Sequence, residues 1–235
     1  MNVAKKFYAK RIKKIKLLTS RETEEMFSEK KRYFIVKKNL LKDIQYRNLY
    51  EVGGGGFSYL NYINNNYKIL KVTGIDIYIN KKLCKNKSIN YLTGDFDGDF
   101  PVKNNTVQIL IMMMVIEHLF DPFKSFKKVF DLLSDDGVAF INLPLVSTLK
   151  NRFRLLFGSL PETSISYDMW FKNREYDGNH LHYFTIRSIE DLCKISNLEI
   201  VDRVYCGNFL FLKKIKPELF ANEISFAVKK RLKKI

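Results

Sequence analysis

From residue 47 onward, the apolar positions fall into short runs separated by polar turns. The runs near 48–53, 70–76, 89–93, 107–114 and 137–143 are rich in Val, Ile and Leu and have the length of buried strands. Between and after them, stretches near 57–65, 79–86, 122–134 and 185–196 read as helices. This alternation predicts a mostly parallel sheet with helices on both faces. The run from Ile109 through Met112, Met113 and Met114 to Val115 is apolar throughout, as expected of a central strand covered on both sides. Asp121-Pro122 supplies an N-cap and a proline for the first turn of the helix at 122–134. Asp135-Asp136-Gly137 then turns the chain into the next strand. Two later runs, Leu198–Cys206 and Glu223–Lys230, predict a hairpin-like pair of strands at one sheet edge.

Two regions break this rhythm. Residues 1–46 predict helix outside the sheet, a basic helical extension preceding a ligand-binding domain at 47–235. Within that extension, residues 3–18 place Phe7, Ile12 and Ile15 loosely on one side, a pattern that suits a membrane surface or the cap of a domain. Residues 145–184 are polar and aromatic, with Pro144, Gly158, Pro161 and Gly178 as punctuation. An irregular insertion of that length in a compact domain usually carries function. Tyr167, Trp170, Phe171 and Tyr183 are its candidate acceptor-lining aromatics.

Composition adds charge to this picture. Lys plus Arg number 41 against 25 Asp plus Glu, a formal charge of +16. The excess sits near 5–16, 30–42 and 229–234, where solvated lysine-rich helices explain it as well as contact with nucleic acid or an anionic membrane would. The 46% hydrophobic content predicts a globular chain. Its longest apolar run is too short to cross a bilayer, and lysines interrupt the apolar stretches where a signal peptide would need continuity. Cys84, Cys193 and Cys206 have no metal-ligand spacing and read as reduced thiols, in keeping with a cytoplasmic location.

The richest stretch chemically is Glu51-Val52-Gly53-Gly54-Gly55-Gly56-Phe57, followed by Gly74-Ile75-Asp76. A strand runs into a bend without side chains, and the next strand ends in a single carboxylate. Glycine lets a ligand touch the backbone, and an acid at the second strand end can accept bonds from a ribose. The spacing is not that of a dinucleotide fingerprint, because Ser58 and Tyr59 stand where the third glycine belongs. No Gly-Lys-Ser/Thr phosphate loop occurs. Glu51, two residues before the first glycine, would repel a pyrophosphate and suits a cationic ligand.

In this order of features, the chain resembles the class I S-adenosylmethionine-dependent methyltransferases of the Methyltransf-11/23 type. Glu51-Val-Gly53-Gly-Gly55 is similar to their first motif, and Gly74-Ile-Asp76 to their second. Gly94-Asp95-Phe96 follows the third strand, and Ile116-Glu117-His118-Leu119-Phe120-Asp121-Pro122 resembles an EH-x-x-DP element after the fourth. Leu133-Ser-Asp-Asp-Gly137 with Ile141-Asn-Leu-Pro144 resembles the usual ending of the fifth. Phe57 stands where the family commonly has glycine, and Gln108 where its fourth strand usually begins with an acid. The second half, through Arg152-Phe-Arg154, Tyr167-Asp-Met-Trp170 and His180-Leu-His182-Tyr-Phe-Thr185-Ile-Arg187, is similar to MetW-type proteins of methionine biosynthesis.

The resemblance implies a Rossmann-like α/β fold with a seven-stranded, mostly parallel sheet and an antiparallel edge strand. It implies S-adenosyl-L-methionine as cofactor. Glu51 would attract the methionine ammonium, Gly53, Gly54 and Gly55 would admit the cofactor, and Asp76 with Ile77 would hold the ribose. Asp95 and Phe96 would frame the adenine, with Met113 and Met114 beside the methionine moiety. The implied activity is methylation of an oxygen or nitrogen on a small molecule or glycan. Methylation of RNA or protein, or a non-catalytic MetW-like partner role, are the alternatives. An acceptor must lose a proton, and His118 and His182 are the candidate bases. His180-x-His182 lacks a Cys or carboxylate at matching spacing, so no metal site is expected.

Overall fold

The computed structural model describes residues 9, 12–13, 15–29, 31–40, 47–164, 176–207 and 210–231. Its centre is a seven-stranded sheet of β1 (Asn48–Val52), β2 (Lys71–Asp76), β3 (Ile89–Thr93), β4 (Val107–Met113), β5 (Leu133–Pro144), β6 (Leu198–Cys206) and β7 (Glu223–Lys230). The spatial order is β3-β2-β1-β4-β5-β7-β6. The first five strands are parallel, and β7 is antiparallel to both β5 and β6. The chain therefore reverses direction of travel between β1 and β4, and ligands in open α/β sheets bind outside the strand ends at such a switch point.

Alternation along β4 explains the two layers. Leu110 and Met112 point to one face, where α4 (Pro122–Leu132) and α6 (Ile186–Ile195) bring Phe126, Val129, Ile189 and Leu192. Ile109 and Ile111 point to the other, where α3 (Ser58–Asn66) brings Leu60 and Ile63. The N-terminal α1 (Ser20–Glu25) and α2 (Phe34–Leu40) belong to that second layer, because Phe27, Tyr33, Ile35, Val36 and Leu40 are buried in the same cluster. Helix starts follow their capping chemistry. Thr19 caps α1 and exchanges bonds with Glu22, Asp121 caps α4 ahead of Pro122, Thr148 caps α5 (Leu149–Leu156), and Thr185 caps α6 through Ser188.

Two expectations need correction. Residues 79–86 form turns rather than a helix. Asn80 and Asn86 accept bonds from Lys82 N and Ser88 N through their own side chains, an arrangement that competes with the helical ladder. Helix α4 stops at Leu132 and β5 starts at once, because Leu133 pairs with Val107 ahead of a register shift in the β4–β5 ladder. The two late strands pair antiparallel at one sheet edge as expected, with β7 between β5 and β6, and α7 (Leu210–Ile215) and α8 (Pro217–Phe220) fill the connection. Gln108 has a structural use: its Oε1 accepts Asn48 N at 3.0 Å, and its own N–H donates to Asn48 Oδ1 at 2.9 Å. Among the described residues, no helix is long and apolar enough to cross a membrane.

Candidate active site

The glycine bend after β1 is tied to the end of β2. Gly53 N donates to Ile75 O at 2.9 Å, and Gly55 N donates to Asp76 Oδ2 at 3.0 Å. Gly53 (φ 75°) and Gly55 (φ 59°) occupy the left-handed region, which glycine enters without a Cβ penalty. A Cβ on Gly54 would lie 2.5 Å from Phe57 Cδ1 and 3.0 Å from Glu51 Oε2, so the bend has no room for side chains on its inner side. The N-terminal segment lies across its outer side: a Cβ on Gly55 would meet Ile15 Cδ1 at 2.6 Å, and Leu18 N donates to Ser58 Oγ at 3.2 Å.

Two buried carboxylates flank this bend. Glu51 accepts the Tyr33 hydroxyl at 2.7 Å on Oε1, whereas Oε2 has no hydrogen-bond partner among the described residues. Burial pushes its carboxyl up to about 7 against the pull of the Tyr33 bond. Burial likewise pushes Asp76 up to about 6 against the bonds from Gly55, Tyr78 and Ile77 backbone. Both acids thus resist ionisation until a cation or a set of donors arrives. That is the donor set a sulfonium, an ammonium and two ribose hydroxyls would complete, so the residues present fit S-adenosylmethionine.

A pH dependence follows. An acid whose folded pKa is raised holds its proton more tightly in the folded state, so its contribution to stability is full at low pH and is lost as pH rises through the folded value. The ligand-free protein should therefore melt at progressively lower temperature as pH rises from 5 to 8, through windows that close near 6 for Asp76, near 7 for Glu51 and near 8 for the buried Glu117. Scanning fluorimetry across that range checks this, and Glu51→Gln should flatten the curve below about pH 7 while leaving its upper end.

The remaining sequence candidates divide. Ile77 follows Asp76 and is half-buried, and Asp95 opens a turn after β3 whose Asp97 N–H donates back to Asp95 Oδ1 at 3.0 Å. The Phe96 ring is buried against Phe100 and lies 5.1 Å from Lys128 Nζ, so it is committed to the core instead of an open surface. Met113 is buried in the second layer, and Met114 adopts φ 58° with its N–H on Asn142 O at 3.1 Å. Tyr167, Trp170 and Phe171 lie outside the described residues, as does Phe7; Tyr183 is exposed.

The two histidine candidates are not equivalent. His118 ends the 3-10 turn Ile116–His118, and a Cβ on Gly53 would lie 2.6 Å from Val115 Cγ2, so this turn stands beside the glycine bend. His182 Nε2 donates to Phe120 O at 3.1 Å, an anchor for the loop. The residue that joins His118 is His180, at 4.8 Å between ring centroids, together with Glu117. Burial pushes the Glu117 carboxyl up to about 8. The sequence gives Glu117 no role of its own, and among the histidines only His118 and His182 stand out as candidate bases. The glutamate–histidine pair after β4 was the available signal; its meeting with His180, 63 positions downstream in the chain for Glu117, was not.

A family model described as a methyltransferase domain matches residues 14–203, most of the chain. The chain belongs to this family. The match starts inside the N-terminal region, in line with the packing of α1 and α2 into the core. An S-adenosylmethionine-dependent methyltransferase from Mesorhizobium loti superposes with TM-score 0.59 at 12% identity, covering 85% of this chain and 98% of that one. Phosphoethanolamine N-methyltransferase 2 of Haemonchus contortus, in complex with S-adenosyl-L-methionine, gives 0.59 at 13% identity, covering 89% of this chain and 56% of that one. A Haloferax volcanii putative methyltransferase, solved with the Trm112 methyltransferase activator, gives 0.59 at 10% identity over 91% and 95% of the two chains. At these identities the likeness is one of fold, the Rossmann-like methyltransferase architecture. No curated protein matches the chain in sequence.

Proposed function

We propose that this methyltransferase-family chain uses S-adenosyl-L-methionine to methylate an oxygen or nitrogen of a small molecule or glycan. The observation that carries the reading is the pair of buried acids, Glu51 and Asp76, on either side of the glycine bend. Glu51 attracts the methionine ammonium, Gly53 to Gly55 bring the backbone to the ligand, and Asp76 takes the ribose hydroxyls. Methyl transfer itself is mainly positioning, since the sulfonium is already activated and leaves as a neutral thioether. The chain's further task is the acceptor's proton, and His118 at the carboxyl end of β4 handles it, while His182 orders the loop.

Titration calorimetry with S-adenosylmethionine and its demethylated product tests the reading. Binding of both at tens of micromolar or tighter is expected, and no binding of either would overturn it. Once an acceptor is in hand, His118→Ala should leave the cofactor affinity within about twofold and lower kcat by roughly 10²-fold or more. Cofactor affinity falling with the same substitution would place His118 elsewhere. The +16 charge carries a second reading, a nucleic-acid acceptor. Salt-dependent retention of the protein on RNA, absent on neutral glycans, would favour it.

A further inference from the structure

The turn after β4 is built as a small cage. Glu117 is fully buried, and neither of its carboxylate oxygens has a hydrogen-bond partner among the described residues. A carboxyl buried that way either keeps its proton or needs a positive charge to complete it. His180 Nε2 stands 3.9 Å from Glu117 Oε1. That is about 1 Å too long for a direct charge-assisted bond, which would close to about 2.7–2.9 Å. One donor atom each from Glu117, His118 and His180 lies within 4.8 Å of the others.

A surrounding layer sets both imidazoles to present Nε2. His118 Nδ1 lies 3.1 Å from the Asn179 carbonyl, which can only accept, so Nδ1 carries the proton. His180 Nδ1 lies 2.7 Å from Thr163 Oγ1, and that hydroxyl lies 2.6 Å from Asp177 Oδ2. The hydroxyl gives its proton to the carboxylate and so accepts from Nδ1. Asp177 is itself buried and fixed by Thr163 N and Ser164 N. The turn that carries these groups is held in the left-handed region at three successive residues, Asp177 (φ 44°), Gly178 (φ 69°) and Asn179 (φ 62°). Strain of that kind persists where the surroundings over-determine a geometry. A histidine whose Nδ1–H is pinned by a carbonyl or a carboxylate relay is the usual outer arrangement of a metal-binding imidazole.

We propose that Glu117, His118 and His180 bind a divalent transition-metal cation, a site separate from the cofactor acids. Two imidazoles and one carboxylate are the donors that favour zinc, manganese, iron or cobalt over magnesium or calcium. Ligands at about 2.1 Å from such an ion stand about 3.3 Å apart, so the three side chains close by roughly 1 Å around it. Three protein ligands leave open positions, and the turn that carries Glu117 and His118 stands beside the glycine bend through Val115 and Gly53. An acceptor hydroxyl bound there would lose its proton to solvent more readily, and His118 would act through the cation. This last consequence rests on the methyl-transfer reading; the cation site does not. The spacing His180-x-His182, on which no metal is expected, does not include Glu117 and His118, which come from the turn after β4.

The test uses the full chain, stripped with chelator and titrated with Co(II) and Zn(II) at pH 7.5, read by calorimetry and by the visible absorption of bound cobalt. One equivalent at about 10 µM or tighter is expected. Glu117→Gln and His180→Ala should each weaken it at least tenfold, while His182→Ala should not. Less than a fifth of an equivalent at 100 µM cation overturns the proposal. So does wild-type affinity in both variants, which would mark adventitious binding. Circular dichroism melts certify each variant as folded. If one is not, the other variant and the wild-type stoichiometry decide. Cofactor titration of the same samples separates loss of this site from failure of the methyltransferase reading.

Discussion

Asp76→Ala should weaken S-adenosylmethionine binding at least 100-fold and leave the protein folded. Two ribose hydroxyls on one carboxylate amount to two charge-assisted bonds of about 1.5–3 kcal/mol each, hence roughly 10²- to 10⁴-fold in affinity. The substitution also releases Gly55 N, whose 3.0 Å bond to Oδ2 fixes the bend against β2. Folding should survive because the carboxyl is costly to bury when ionised: burial already pushes it up to about 6. At pH 8 the ligand-free variant should melt no lower than the wild type, and Asp76→Asn should behave alike in melting while binding the cofactor about tenfold better than the alanine variant. Calorimetry at pH 8 measures the first quantity and circular dichroism the second. Undiminished affinity in Asp76→Ala would mean that the ribose is held elsewhere.

Much of this architecture was legible in the sequence because its signals are local. The apolar run over 107–114 announces a strand covered on both faces, and Ile109 and Leu110 do face opposite layers. The four glycines beside Glu51 announce a bend a ligand can touch, and Asp121-Pro122 and Thr185 cap the helices assigned to them. What escaped was carried by long-range contacts. Tyr33 reaches Glu51 from a region read as an extension, so the acid expected to face the ligand is also part of a buried aromatic cluster with Phe27 and Tyr59. Periodicity at 79–86 suggested a helix that asparagine side chains undo through bonds to their own backbone neighbours. The cage of Glu117, His118 and His180 depends on Leu181 N and His182 N both donating to Glu117 O, which docks the end of the insertion onto the turn after β4. No spacing rule reports a contact of that kind.

Phe57 offers the second large effect, and its sign separates two contributions. The residue sits at φ 55°, ψ 34°, ahead of α3, and its ring is fully buried. Its Cδ1 lies 2.5 Å from where a Cβ on Gly54 would be, and its Cε1 lies 2.7 Å from the same point on Gly74, so the ring wedges between the glycine bend and β2. Removing it leaves a cavity, and Phe57→Ala should cost about 3–5 kcal/mol. Alanine, however, keeps the steric penalty of the left-handed backbone, about 1–2 kcal/mol, which glycine escapes. Phe57→Gly should therefore be more stable than Phe57→Ala by about 1 kcal/mol although it buries less, and glycine also serves better than alanine at a helix start. Urea unfolding of the three proteins checks the order. Alanine above glycine would mean that the backbone at 57 relaxes out of the left-handed region once the ring is gone, and that the ring, not the tie between Gly55 and Asp76, holds the bend in shape. Cofactor affinity then gives the deciding comparison. If the tie governs the bend, the glycine variant should bind within about tenfold of the wild type, since the backbone that the ligand touches keeps the conformation it has with phenylalanine in place.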